Sequence, residues 1–190
     1  MATKSMKKLV EILLVEAELK GVPEKTLLKS RNLGTVDLIW PRAGVAKKTA
    51  ARQFVFTRGK VDFTAEPWAK RILFREEIEG HAAFAVSISE PVTVQKIRHF
   101  LDLTARYILK EGADIAGSAL AGYGDIAAAP IDALAAIVGE KDAPKAIAQG
   151  VLDLTEEMLP AEGETVRVTV PLARPVLNRA LGTVTLEIRA

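Results

Sequence analysis

The sequence predicts a mainly β protein: an antiparallel β-sandwich of roughly seven to nine strands carrying a two- to three-helix insert before its last strands. Three observations predict it. Short runs with period-two alternation, separated by Gly and Pro, fill residues 8–90. The same pattern returns over 164–190. Between them, residues 93–159 switch to helical spacing and become rich in Ala and Gly. These parts form one domain over 1–190, a length suited to a single core. Strands do not alternate one-for-one with helices, which argues against a Rossmann or α/β-barrel fold.

Residues 8–19 allow a helix by their length and Glu/Leu content, but their β-branched residues and the stop at Gly21, Val22 and Pro23 favour a strand buried on both faces, with Val10, Ile12 and Leu14 on one side and Leu13, Val15, Ala17 and Leu19 on the other. Lys4, Lys7 and Lys8 precede this apolar run as in an export signal, but Glu11 and Glu16 interrupt it. Residues 35–40 form a short strand stopped by Pro41. Residues 53–57 and 60–64 flank Arg58 and Gly59, which predicts a hairpin. Residues 71–78 and 82–89 flank Glu79, Gly80 and His81, and the second run reads as half-buried, with Phe84, Val86 and Ile88 inward. Thr93 is placed to cap a helix whose apolar stripe runs through Val94, Ile97, Leu101, Ala105 and Ile108. Pro130 opens a second helix ended by Gly139, and residues 142–158 read as a third, with Ile147, Val151 and Leu154 on one face. Residues 165–171 and 183–189 alternate as strands.

Composition narrows the chemistry. Cysteine is absent, which excludes a disulfide scaffold, a thiol nucleophile and thiolate metal sites. It is compatible with the cytoplasm, the location expected for a soluble chain of this kind. The uncharged run 115–124 is too short to span a bilayer. The net charge of +2 hides an asymmetry. Residues 1–60 hold 13 Lys/Arg against 5 Asp/Glu, and 61–190 hold 13 against 19.

The basic residues Arg42, Lys47, Lys48, Arg52, Arg58 and Lys60 are the candidate anion-binding group, since no acid lies between Leu38 and Val61. Such a run suits phosphate, lipid headgroups or an acidic protein. Nucleic acid is disfavoured, because no recognition motif accompanies it. The bland reading is a solvated strand face. A third reading pairs this run with the acidic insert, where residues 111–164 hold 11 Asp/Glu against Lys141 and Lys145.

The glycine cluster at 117–124 has the first half of a phosphate-loop spacing, but Tyr123 and Gly124 stand where Lys and Ser/Thr are required. Ala113, Gly117 and Ala121, with Ser118 and Gly122, recur every four residues and read instead as a helix-packing face. Membrane insertion of 112–139 is disfavoured, because the polar positions are Asp114, Asp125 and Asp132 rather than Lys or Arg. Glu77, Glu79 and His81 are weak metal or acid/base candidates, which Gly80 scatters by turning the chain. His99, beside Asp102 at i+3, reads as surface decoration.

The predicted architecture resembles that of C2-type β-sandwich modules, which act in membrane or protein binding. The resemblance is one of layout and carries no residue motif. Calcium-binding C2 domains cluster aspartates in loops at one end, whereas Asp37 and Asp62 stand apart, so it implies no calcium site.

No catalytic or cofactor signature emerges, and no cofactor is expected. The expectation is a non-enzymatic binding protein that meets a protein partner or itself, with the Ala/Gly-rich insert as its packing or partner-binding element. The alternatives are a phosphate- or lipid-headgroup-directed module using the basic cluster, or an enzyme whose site is assembled from residues distant in sequence.

Overall fold

The structure is a computed structural model that describes residues 7–20, 30–40, 46–111, 139, 141, 143–175, 177 and 179–190. Nine strands are present among them: β1 (Lys7–Leu19), β2 (Ser30–Trp40), β3 (Ala46–Phe56), β4 (Lys60–Asp62), β5 (Ile72–Glu79), β6 (Ala82–Ser89), β7 (Ala146–Leu154), β8 (Thr165–Ala173) and β9 (Ala180–Arg189). A one-turn helix α1 (Trp68–Arg71) precedes β5, and α2 (Val94–Glu111) follows β6.

All strand pairs are antiparallel, and the hydrogen-bonded path runs β3-β2-β6-β7-β8-β9-β1-β4, with β5 also on β1. The path folds over at β7–β8, where a single pair, Gln149 with Ala173, joins the two strands. Gly150 allows this corner, because a Cβ there would lie 1.9 Å from the Pro171 carbonyl oxygen. The result is an antiparallel β-sandwich. One layer is β3-β2-β6-β7; the other is β8-β9-β1 with β5 and β4 sharing the far edge of β1. Val36, Leu38, Phe84 and Val86 of the first layer meet Val168, Val170, Val184 and Leu186 of the second in one apolar core. Phe54 stacks edge-on against Phe63 at 5.1 Å within it.

β1 is buried on both faces, as Val10, Ile12, Leu13, Leu14 and Val15 show. A register shift between Leu14 and Glu16 moves Ala17 and Leu19 onto the core side with Val10, Ile12 and Leu14, so the simple alternation expected for this strand breaks at the bulge. The expected hairpin around Arg58 and Gly59 forms, with φ of 51° and 74° suiting a two-residue turn. It holds only one bridge, Thr57 with Lys60, before β4 leaves to pair with β1. β6 is buried on both faces rather than one, since Ala85, Ser87 and Ser89 are buried behind Phe84, Val86 and Ile88. On that outer face, α2 packs Ile97 and Phe100 over Leu33. Asp37 lies in the same layer and accepts a hydrogen bond from the Thr49 hydroxyl at 2.6 Å.

The third expected helix, over 142–158, is a correction: residues 146–154 form β7, and only one helical turn follows, at 156–158. The apolar spacing that suggested a helix does not mark a common buried face. Leu154 and Ala148 are buried, whereas Val151 is 42% exposed. Gly150 is costly in a helix interior but fits a strand corner, and β6 offers β7 a full ladder from Ala82 to Ser89. The insert therefore begins as predicted with α2, whose Thr93 Oγ1 accepts the Lys96 N–H, but its last part belongs to the sheet. The second expected helix, 130–139, lies outside the described residues apart from Gly139.

Candidate functional site

The predicted basic cluster does not stay together, because β3 carries it along the length of the sandwich, roughly 35 Å for eleven residues. Arg42 lies outside the described residues, and Lys47 starts the strand. Lys48 pairs with Glu76, while Arg52 reaches the Ile72 carbonyl at 3.5 Å and Glu66 at 3.6 Å. These two residues close the seam between β3 and β5. Of its described members, Arg58 in the β3–β4 turn and Lys60 at the start of β4 reach the far end of the sandwich.

At that end the fold assembles a larger basic surface from segments far apart in sequence. Leu19 donates its N–H to the Gly59 carbonyl at 2.8 Å, and Lys20 donates to Leu181 at 2.7 Å, which ties the end of β1 to two turns. Arg174 donates to the Arg179 carbonyl at 3.0 Å, closing the β8–β9 turn. Val92 donates to Arg31 at 2.9 Å, and Glu90 to Lys145 at 2.7 Å. Ser89 is the knot beneath them: its hydroxyl accepts the Leu33 N–H and donates to the Glu90 carbonyl, both at 2.8 Å, and its own carbonyl accepts Asn32 Nδ2 at 2.6 Å. Lys20, Arg31, Arg58, Lys60, Lys145, Arg174 and Arg179 are thereby brought to one end, all exposed. Leu177, 67% exposed, stands between Arg174 and Arg179. Among the described residues, the acids at this end are Glu18, paired with Lys60 at 3.4 Å, and the half-buried Glu90, with Glu16 and Asp62 a step further along β1 and β4.

At the opposite end one segment is acidic, in company with Lys7, Lys8, Arg167 and Arg189. The end of β7 and the β7–β8 connection carry Asp153, Glu156, Glu157, Glu162 and Glu164, all exposed, with no Lys or Arg in 153–164. Leu154 and Leu159 are buried and pin it to the core. Gly163 donates to the Ala190 carbonyl at 2.9 Å, and Lys8 Nζ caps Pro160 O at 3.4 Å. Close by, Glu187 is buried between Arg189 at 2.5 Å and Arg167 at 3.3 Å. Burial pushes its carboxyl up, but the two guanidinium hydrogen bonds outweigh that and hold it below the usual glutamate value.

The remaining candidates do not form a site among the described residues. β5 ends at Glu79 and Gly80 turns the chain at φ 74°, leaving Glu77 and His81 exposed at a tight turn. No three His, Asp or Glu side chains converge to hold a metal among the described residues. Asp62 Oδ1 accepts the Thr64 N–H at 2.7 Å. Ala113, Gly117, Ser118, Ala121 and Gly122 lie outside the described residues. No described helix is long and apolar enough to cross a membrane. Sequence reasoning missed Lys20, Arg31, Lys145, Arg174 and Arg179; the one local signal was the pair of arginines bracketing an apolar turn at 174–179.

No family model matches the chain, and no curated protein matches it. Among solved structures, the chain is similar to one described as CC2D1B, which coordinates ESRCT-III activity during the mitotic reformation of the nuclear envelope. The identity is 11% and the TM-score 0.45, over 99% of this chain and 55% of that one. The chain thus spans about half the length of that structure. It is also similar to the C2A domain of plant Extended Synaptotagmin 1, at 12% identity and a TM-score of 0.41, over 98% of this chain and 95% of that domain.

Proposed function

We propose that the protein is a non-enzymatic binding module that engages a phosphate-bearing anionic surface through the basic end of its sandwich. The observation that carries this reading is the gathering at one end of exposed Lys and Arg from the end of β1, β2, the β3–β4 turn, the residue before β7 and the β8–β9 turn, where Leu177 is also exposed. Charges gathered within one end act together on an anionic surface, each contributing about 1 kcal/mol near a charged bilayer. Leu177 adds an apolar side chain at the tip of that surface, where burial between headgroups is favourable.

The test is flotation with phosphatidylcholine vesicles, with and without phosphatidylserine. Binding is expected only with the anionic lipid and is expected to weaken with salt. R174E/R179E is expected to lower it by more than about tenfold. Competition by inorganic phosphate separates recognition of a single phosphate from recognition of an extended surface. Equal binding to neutral and anionic vesicles, or an unaffected double variant, would overturn the proposal.

A further inference from the structure

We infer that the protein assembles head to tail, with the acidic β7–β8 connection of one copy docked on the basic end of the next. The occupant is a second copy of this chain. This goes beyond the anionic-surface reading and uses the same basic end for a different partner.

The argument rests on where folding sorts the charges. Lys20, Arg31, Arg58, Lys145, Arg174 and Arg179 stand at one end of the strands, and the five acids of 153–164 stand at the other. β1 alone has thirteen residues, so the two ends lie roughly 40 Å apart. That is several times the Debye length of about 8 Å at physiological ionic strength, so one copy cannot neutralise its own ends. Asp153, Glu156, Glu157 and Glu162 make no ion pair among the described residues, nor do Arg174 and Arg179. Among the described residues, both surfaces therefore carry charge left over for another molecule.

Both surfaces are also preformed. The acidic connection is held by buried Leu154 and Leu159 and by backbone bonds from Met158 to Thr155 and from Gly163 to Ala190. The basic turns are tied to β1 and to each other by backbone hydrogen bonds. Docking then requires little ordering, which leaves more of the electrostatic attraction as affinity. Two different surfaces on one chain make a heterologous contact, which propagates from copy to copy or closes into a ring.

Sedimentation of the whole protein across a concentration series tests this, at low and at high salt. The wild type is expected to associate at low salt and dissociate at high salt. E156K/E157K and R174E/R179E change exposed residues at opposite ends, and each is expected to associate at least about tenfold more weakly. Mixed together, they keep one intact acidic end and one intact basic end, and are expected to form a capped 1:1 dimer. A wild type that stays monomeric at low salt, or a mixture that stays monomeric, would overturn the inference. Vesicle flotation of E156K/E157K separates the two proposals. Vesicle binding by E156K/E157K, whose basic end is intact, together with a wild type that stays monomeric at low salt sinks assembly alone, while a 1:1 dimer in the mixture without vesicle binding by E156K/E157K sinks only the anionic-surface function.

Discussion

At the basic end, Lys20, Arg58, Lys145, Arg174 and Arg179 arrive from separate segments, and β-ladder registers and turns place them together. At the acidic end, five carboxylates lie within twelve consecutive residues, 153–164, at the end of β7 and in the connection that follows it. One surface exists only while the strands are in register. The other is local, and needs only its own anchors in the core. The two ends of one molecule should therefore respond differently to damage.

The largest effect is expected from G182V. A Cβ at Gly182 would lie 1.8 Å from the Glu18 carbonyl oxygen and 3.0 Å from Leu19 Cα, and a backbone cannot retreat as a side chain can. Urea titration is expected to show a loss of about 3 kcal/mol. Anionic-vesicle binding should fall with it, because Leu19 and Gly182 are paired where the basic turns are tied together. A loss under about 1 kcal/mol would mean that this end tolerates a looser register.

A middle effect is expected from E187Q, near the acidic end. The folded-state carboxyl is held below its ordinary value of 4.5, so its stabilising contribution is present above that value and is lost as the pH falls through the lowered one. The wild type should lose stability on acidification below about pH 4.5, and E187Q should lack that step while being roughly 1 kcal/mol less stable at neutral pH. Denaturation midpoints across the acid range check both; parallel curves for the two proteins would refute the assignment.

The smallest effect is expected from K60A. Its pair with Glu18 is 3.4 Å long, and the two side chains are 69% and 38% exposed. Thermal unfolding should shift by no more than about 0.5 kcal/mol. Vesicle binding should fall less than in R174E/R179E, since one charge is removed rather than two reversed. A larger stability loss would show that the basic end leans on this pair as well as on its ladder.

Much of the fold was legible because local pattern and final environment agree. Val168, Val170, Val184 and Leu186 alternate in sequence and face one core. Arg58 and Gly59 announced their turn. Residues 146–154 misled because Ile147, Val151 and Leu154 satisfy helical spacing, while the deciding facts lie elsewhere: a free edge on β6 and a Pro171 carbonyl that only glycine can approach. The site was less legible. The run from Arg42 to Lys60 looked like one patch, yet an extended strand spreads such a run over its full length and spends Lys48 and Arg52 on a seam.

The sequence by itself determined the β-rich parts, the start of α2 at Thr93 and the acidity of 153–164, because each depends on residues within a few positions of one another. Only the tertiary structure decided that β7 is a strand, that the sheet folds over at Gly150, and that distant lysines and arginines share an end. Those outcomes depend on which edges meet and in what register, and register is set by the packing of both layers at once.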